Sequence, residues 1–542
     1  MDVEVDLFAD GHDPVAGTLL FRREEDSKWT EVPLQPLGND RFRARFPVKE
    51  LGIYRYTLEG WLDRSGGRSA ATRYEKELSV VVDRERARCG AWYELFPRSW
   101  GAVPGRHGSF RELEQRLGYV RDLGFDVLYF PPIHPIALLL RKGKNGDLAA
   151  GPGDPGSPWA IGAKEGGHRA IHPELGTLED FRRLLSKAKP MGLEIALDIA
   201  LQCSPEHPYV KEHPEWFRRR PDGAIQHAEN PPKKYEDIYP FDFECAQWKA
   251  LWEEMKSMFL FWVEQGVRIF RVDNPHTKPF DFWEWLIAEV KRDHPDVIFL
   301  SEAFTRPKVM VRLAKLGFTQ SYTYFCWRNT RSELTDYFTE LTQGPAREFF
   351  RASVWTNTPD ILTGYLQQGG RTAFRARLIL AATLAANYGI YGPAFELCED
   401  QPREPGSEEY LNSEKYELKR WELDRPDSLK ELIGRVNRIR RENPALQRDD
   451  GLFFHPTDNE QVLCYSKQSP DRKNAILVAV NLDPRRKQSG WVDLRMEALG
   501  VGPSRPFEVE DLLHGSRYRW DRGRNYLEIS PEMTAHIFRV GR

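Results

Sequence analysis

Cysteine is scarce, with six in 542 residues. The six, at 89, 203, 245, 326, 398 and 464, are scattered and form no CxxC pair, which argues against a disulfide framework or a structural zinc site and reads as reduced thiols. No apolar run approaches the roughly 20 residues a membrane span needs. The opening stretch, MDVEVDLFADGHD, is acidic and lacks the apolar segment of a signal peptide. A cytoplasmic protein is expected. Charge of one sign is also missing: the net value is −3, so nothing electrostatic favours nucleic acid or a membrane surface as partner. No internal repeat or low-complexity segment stands out. What is present is 40% apolar and 29% charged residues, an ordinary globular balance, with 16 Trp, 20 Tyr and 30 Phe. Aromatic faces serve as sugar platforms, and large cores use them as well. The length predicts roughly two to four domains rather than one core.

Residues 1–83 carry short apolar runs between turn residues (VEVDLFADG, GTLLFRR, RFRARFPV, GIYRYTLEGW), which predicts a small Ig-like antiparallel sandwich. Asp83–Arg88 (DRERAR) reads as a linker. From 89 to 442, strands alternate with longer helical segments, the pattern of βαβ units around a parallel sheet. Eight strands are predicted: Ala91–Leu95, Val127–Phe130, Glu194–Ile199, Val267–Val272, Val297–Leu300, Ser321–Tyr324, Ser353–Thr356 and Asn387–Tyr391. Between them, helices are predicted at Arg111–Leu123, Leu178–Lys189, Gln247–Glu264, Phe280–Arg292, Arg371–Ala386 and Ser428–Arg441. Eight repeats predict a closed (β/α)8 TIM barrel, so the fold class is multidomain α/β. Two connections, about 133–175 and 202–243, are unusually long, and long loops inside a compact domain are usually functional. Residues 443–542 return to short strands and predict a second antiparallel β-sandwich.

The chemistry concentrates at predicted strand ends. The fourth and fifth strands run into Asp273 and Glu302, and Asp360 lies just past the seventh. Barrel enzymes build their sites from residues at the carboxyl ends of successive strands. Arg271 precedes Asp273 by two, so on a strand both side chains leave the same face. A neighbouring cation favours the charged form of a carboxylate, which suits a nucleophile. Retaining glycosidases need such a nucleophile and a protonated acid/base about 5–5.5 Å away. Asp273 fits the first role and Glu302 the second, with Asp360 placed to hold sugar hydroxyls and stabilise the transition state.

These segments, LEIALDIA with Asp198, FRVD with Asp273, SEAF with Glu302 and NTPD with Asp360, resemble the alpha-amylase superfamily, glycoside hydrolase family 13. The departures narrow it. Gln202 and Cys203 stand where an amylase usually has Asn-His, and Pro359 stands where it has the His before the third acid. The strings AWYELFPRSWG, RKGKNG, GGHRAIHPELGT, ALQCSPEHP, AENPPKKYEDIYP, RVDNPHTKPF and GIYGPAFELCE are similar to one subgroup, the GlgE-type alpha-1,4-glucan:maltose-1-phosphate maltosyltransferases.

That resemblance implies a retaining transfer of maltosyl units from alpha-maltose 1-phosphate to the non-reducing end of an alpha-1,4-glucan, with no cofactor and no metal. An amylase-type hydrolase, a related phosphorolytic transglycosylase and a non-catalytic glucan-binding protein are the alternatives. A departing phosphate needs hydrogen-bond donors, and Lys142 in the first long loop supplies a charged one. The resemblance adds Gln202, Asn230, Tyr235 and Asn274 around the phosphate. Read alone, Lys142 is a solvated loop lysine, and Asn230 and Tyr235 are turn residues. His168 and His276 are assigned to sugar hydroxyls, with Asp198 and Arg271 close by. The pair His168 and His172 has a metal-like spacing but no third ligand in sequence. Tyr93, with Trp92, is either a stacking platform or barrel core, and Glu399 is assigned to the donor's second glucose. Longer members of the subgroup carry a helical insertion near the N-terminus that helps build a homodimer. The short segment before this barrel has no room for it, which leaves dimerisation open.

Overall fold

A computed structural model describes residues 1–64, 68, 71–230, 233–502 and 505–541. The chain divides into two compact units, Met1–Glu85 with Glu289–Asp296, and Arg86–Ala288 with Val297–Arg542.

In the first unit, strands Asp2–Asp6, Arg41–Arg45 and Gln35–Gly38 form one antiparallel sheet. Val15–Arg23 and Gly52–Leu62 form the centre of a second. Alternation explains the pairing: in Arg41–Arg45 only Phe42 and Ala44 are buried, while the three arginines face out. Val3 and Ala44 from one sheet meet Leu19 and Tyr54 from the other, together with Phe46, in a shared apolar layer, as a sandwich requires.

The second unit holds a closed barrel of parallel strands: β1 (Gly90–Glu94), β2 (Val127–Phe130), β3 (Glu194–Ile199), β4 (Ile269–Asp273), β5 (Ile298–Glu302), β6 (Gln320–Tyr322), β7 (Ala352–Trp355) and β8 (Asn387–Tyr391). Each strand pairs with its chain neighbours, and β8 closes on β1. The strands are buried on both faces, hence their nearly unbroken apolar runs. The lumen is filled by Trp92, Val127, Tyr129, Ala196, Ile269, Ile298, Leu300, Tyr322 and Trp355. Gly389 is needed there, because a Cβ at that position would stand 2.6 Å from the Trp355 ring.

Two boundaries differ from the sequence reading in a way that matters. The ladder between β4 and β5 continues through Asp273 opposite Glu302, so both acids lie on the strands rather than beyond them. Val267 instead closes the preceding helix, its N–H bonding to the Trp262 carbonyl after Gly266 turns at φ +106°. The expected linker is partly core: Glu85–Arg88 is a single helical turn, and Ala87 is fully buried at the barrel floor. The predicted helix Arg111–Leu123 breaks into Phe110–Glu114 and Leu117–Asp122. The predicted helix Arg371–Ala386 starts where expected, directly after the left-handed break at Gly370 (φ +54°), and runs to Leu384; a short helical segment from Gly364 precedes the break. Helices Pro307–Lys315 and Arg331–Gln343 were not anticipated. By contrast Leu178–Ala188 starts where its capping box, Thr177 with Asp180, dictates, and it buries Phe181, Leu184 and Ala188 along one face.

After the barrel, six antiparallel strands form one sheet in the order Leu452–His455, Val462–Gln468, Ala475–Asn481, Ala535–Val540, Phe507–Asp511, Arg517–Trp520, and Gln488–Asp493 pairs with Arg524–Ile529. Arg517–Trp520 (RYRW) escaped the sequence reading because it is a short, charged edge strand. Among the described residues no helix is long and apolar enough to cross a membrane.

Candidate active site

The centre of the mouth is Arg271. It lies on β4 opposite Asp198 of β3, and two residues below Asp273. Its Nη1 donates to Asp198 Oδ2 at 2.9 Å and to Asp273 Oδ1 at 2.8 Å, and its Nη2 pairs with Glu302 Oε1 at 3.2 Å. One buried guanidinium therefore ties together the ends of β3, β4 and β5. Tyr129 and Tyr322 flank it, with ring centroids 5.9 and 5.8 Å away. Asp198 also accepts from Tyr129 Oη at 2.6 Å and from Trp159 Nε1 at 3.3 Å. Asp273 and Glu302 are register partners on adjacent parallel strands, which lie about 4.8 Å apart. Their carboxyls share one guanidinium, Asp273 Oδ1 on Nη1 and Glu302 Oε1 on Nη2, a proximity that double displacement requires.

Burial also acts on the acids electrostatically. It raises the Glu302 carboxyl, against the pull of Arg271 and with help from the Asp273 charge, to about 8. It also raises Asp198, with Arg271 opposing. Glu302 is thus suited to carry a proton at neutral pH, which is what an acid/base needs at the start of a reaction. Asn274, in the left-handed conformation at φ +44°, donates its N–H to Glu302 Oε2 at 3.1 Å and its Nδ2 to Asp273 Oδ2 at 3.2 Å.

The two long loops meet around Lys142. This lysine is only 7% exposed, unlike a solvated loop lysine, and its Nζ donates to Glu236 Oε2 at 2.5 Å, joining the first loop to the second. The neighbouring buried Asp237 feels both Lys142 and Lys415, and Tyr235 also lies within electrostatic reach of Lys415. Lys415 Nζ reaches Asp360 Oδ1 at 2.7 Å and sits 5.0 Å from the Trp159 ring centroid. Residues from both long loops, the end of β7 and the segment after β8 therefore converge. Gln202 begins a two-residue bridge, Gln202–Cys203 with Tyr239–Pro240, at the base of the second loop. His276, two residues past Asn274, is half-buried with its Nδ1 unpaired among the described residues. The side chain of Asn230 lies outside the described residues.

Two expected sugar contacts need correction. His168 is committed on both nitrogens: Nε2–H donates to the Ala200 carbonyl at 2.9 Å, while Nδ1 accepts from His207 Nε2 at 3.1 Å. His207 Nδ1 in turn accepts the Tyr209 N–H at 3.1 Å. Burial lowers His168 to about 4, so it is a neutral brace between the two long loops. Tyr93 is fully buried on the helix-facing side of β1, packed edge-on against Phe125 and Trp100, with its hydroxyl bonded to Glu396. The lumen positions on β1 belong to Trp92 and, by strand parity, Glu94. Glu399 pairs with Lys419 at 3.7 Å. The metal-like spacing of His168 and His172 does not bring those rings together. His172 stacks on His107 at 4.8 Å, and ligand atoms of His107, His172 and Glu174 fall within 4.8 Å of one another. The Arg98 cation acts on both rings, which works against holding a metal ion there.

Sequence reasoning missed Lys415, Trp159, Glu94 and Lys278. Glu94 is buried at the lumen end of β1, within the field of Arg271, Asp198 and Asp360, with Oε2 unpaired among the described residues; burial raises it well above the usual carboxylate range. The long connection after β8 was the available signal for Lys415.

Comparison with known proteins gives three matching family profiles. One described as "Alpha-1,4-glucan:maltose-1-phosphate maltosyltransferase, domain N/S" matches residues 1–67, "Alpha amylase, catalytic domain" matches 94–279, and "GLGE, C-terminal" matches 454–540. A protein of Methylacidiphilum infernorum named alpha-1,4-glucan:maltose-1-phosphate maltosyltransferase is 47% identical over 614 aligned residues, covering 100% of this chain and 92% of that one. The Salinibacter ruber protein of the same name is 50% identical with the same coverage. Among solved structures, the maltogenic alpha-amylase AmyB from Thermotoga neapolitana superimposes with a TM-score of 0.65 at 19% identity, over 85% of this chain and 100% of that one. The Geobacillus thermoleovorans alpha-amylase complexed with acarbose gives 0.64 at 14%, over 84% of this chain and 98% of that one. These two share the fold.

Proposed function

The chain belongs to the alpha-1,4-glucan:maltose-1-phosphate maltosyltransferase family, built on the alpha-amylase barrel, and we propose that it moves maltosyl units from alpha-maltose 1-phosphate to the non-reducing end of an alpha-1,4-glucan with retention, in alpha-glucan synthesis. The observation that carries the mechanism is the in-register pair Asp273 and Glu302 bridged by Arg271. Asp273 attacks the anomeric carbon as the C1–O bond to phosphate breaks, and Glu302 gives its proton to the departing oxygen. The resulting glycosyl ester on Asp273 is then attacked by the 4-hydroxyl of the acceptor. Glu302, now a carboxylate, takes that hydroxyl's proton, and the ester bond breaks to restore Asp273.

Arg271 contacts both carboxyls and offsets the charge of whichever is ionised, Asp273 before attack and Glu302 after it; it needs no contact with sugar. Asp198 holds Arg271 from below and is a positioning residue. Lys142, Tyr235, Gln202 and Asn274 are assigned to the phosphate. The position of Lys142 between the two long loops, buried and charged, supports this, since a buried cation binds an anion far better than an exposed one. Glu236 pairs with the Lys142 ammonium, and a donor phosphate competes with that carboxylate for the same cation. Asp360, neutralised by Lys415, is assigned to sugar hydroxyls and to the positive charge developing on the ring.

The test is to incubate the protein with glycogen, with and without inorganic phosphate, and identify the soluble products. Maltose 1-phosphate formed only when phosphate is present supports the reading. Free maltose or glucose formed regardless of phosphate would make the protein a hydrolase and remove the role given to Lys142.

A further inference from the structure

Lys278 is buried beside the acids, yet among the described residues it pairs with no carboxylate. It is 9% exposed, and burial lowers its ammonium to about 8 despite the nearby charges of Asp273, Glu302 and Asp198. An unpaired buried cation is costly, so its partners are informative. Its Nζ donates to the Asn274 carbonyl at 3.2 Å and approaches the Asp273 carbonyl at 3.5 Å. The Asn274 carbonyl is further held by Thr277, through N–H at 3.1 Å and Oγ1 at 2.8 Å. Three donors thus converge on one peptide oxygen, whose residue has a left-handed backbone, a conformation asparagine tolerates better than most non-glycine residues.

The purpose of that conformation is visible in the oxygens it reaches. Arg271 takes Asp273 Oδ1 and Glu302 Oε1, while Asn274 takes the remaining two, Asp273 Oδ2 through its side chain and Glu302 Oε2 through its backbone N–H. Both carboxyl groups are therefore oriented from two sides, by a strand residue below and by a turn alongside. A turn alone is pliable. We propose that Lys278 is a positioning residue that fastens the Asn274 turn, and through it fixes the in-line geometry of Asp273 and Glu302. This rests on the roles given to those two acids.

The test uses full-length Lys278→Met, Lys278→Arg and Asn274→Gly, each checked for folding by circular dichroism and thermal melting. Lys278→Met is expected to lower kcat about 10- to 100-fold, while KM for alpha-maltose 1-phosphate stays within about threefold of wild type. Glu302 loses a donor to its charged form and a nearby cation, so the alkaline limb of the kcat profile moves to higher pH. Lys278→Arg restores most of kcat. Asn274→Gly already frees Asp273 Oδ2 from the turn, so adding Lys278→Met to Asn274→Gly costs less than Lys278→Met alone, a coupling read by the double-mutant cycle. Wild-type kcat and an unmoved limb in folded Lys278→Met would overturn the proposal. So would a loss appearing only in donor KM, which would make Lys278 a ligand contact. If Lys278→Met does not fold, Lys278→Gln, which keeps a donor without charge, is read by the same split. Alpha-maltosyl fluoride separates this from the functional reading. Wild type that turns over the fluoride but not the phosphate contradicts the donor assignment alone, and fluoride release then carries the Lys278 test.

Discussion

At the floor of the barrel, Gln320 and Asn387 donate their side-chain amides to the Ala87 carbonyl at 2.8 and 3.2 Å, and Asn387 also reaches the Arg88 carbonyl at 2.8 Å. At the mouth, the same depth of burial holds Asp198, Asp273, Arg271 and Lys278. The floor spends its buried polar groups on the backbone, and the buried Arg440 does so too, its Nη2 donating to the Ala386 carbonyl at 2.6 Å; buried backbone groups must find partners. The mouth instead buries ionisable groups against one another, which stabilises a fold poorly, because desolvation offsets the Coulombic gain. The contrast teaches where the structure serves folding and where it serves chemistry. Neither burial nor charge alone distinguishes the two ends; the partners do, since the floor's buried Arg440 bonds to backbone carbonyls while the mouth's Arg271 bonds to carboxyls.

The largest expected effect lies at the mouth. Asp273→Ala should lower maltosyl transfer by roughly four orders of magnitude or more, measured as phosphate release from alpha-maltose 1-phosphate, with Glu302→Ala close behind; near-wild-type turnover in either would break the contrast. Next, Arg271→Leu removes the shared partner of Asp198, Asp273 and Glu302 and should cost about 3–5 kcal/mol in urea denaturation as well as activity. At the floor the two readouts separate: Asn387→Ala should cost about 1–3 kcal/mol while kcat stays within about twofold. A comparable loss of kcat from Asn387→Ala would show that the two ends are not independent.

A smaller effect concerns pH. Because burial raises Glu302 to about 8, its proton is present at neutral pH and is lost above that value, so the phosphate-releasing step should slow on the alkaline side. Single-turnover phosphate release across pH 6–9.5 reads this directly, and an alkaline limb that persists in Glu302→Gln would assign it elsewhere. The smallest effect belongs to Tyr93→Phe, which removes one hydroxyl bonded to Glu396 on the helix side. It should leave kcat and both substrate KM values within about twofold and cost about 1 kcal/mol.

The same contrast explains what the sequence made legible. The barrel was readable because each strand is an apolar run followed by helical periodicity, and the acids were readable because each is local to its strand end. Which residues face the lumen was harder, since β1 is buried on both faces and apolarity does not separate Trp92 from Tyr93; counting back from Glu94 would have done so. His168 carried a plausible sugar contact until His207 and Ala200 took both its nitrogens. Lys415 reaches Asp360 from a segment beyond the next strand, and no spacing rule connects them. The Asn274 turn was half legible: asparagine before proline is a turn signal and tolerates a left-handed backbone, but the Thr277 and Lys278 contacts that hold it there have no local signature.

The most direct test of the central assignment is to trap the intermediate. Glu302→Ala is incubated with alpha-maltosyl fluoride in the absence of acceptor, digested, and examined by mass spectrometry. A maltosyl adduct on the peptide containing Asp273, absent from Asp273→Ala/Glu302→Ala, is the predicted result. An adduct on another residue, or fluoride release with no adduct at any time point, would contradict Asp273 as the nucleophile and with it the account of why the mouth of this barrel buries charge.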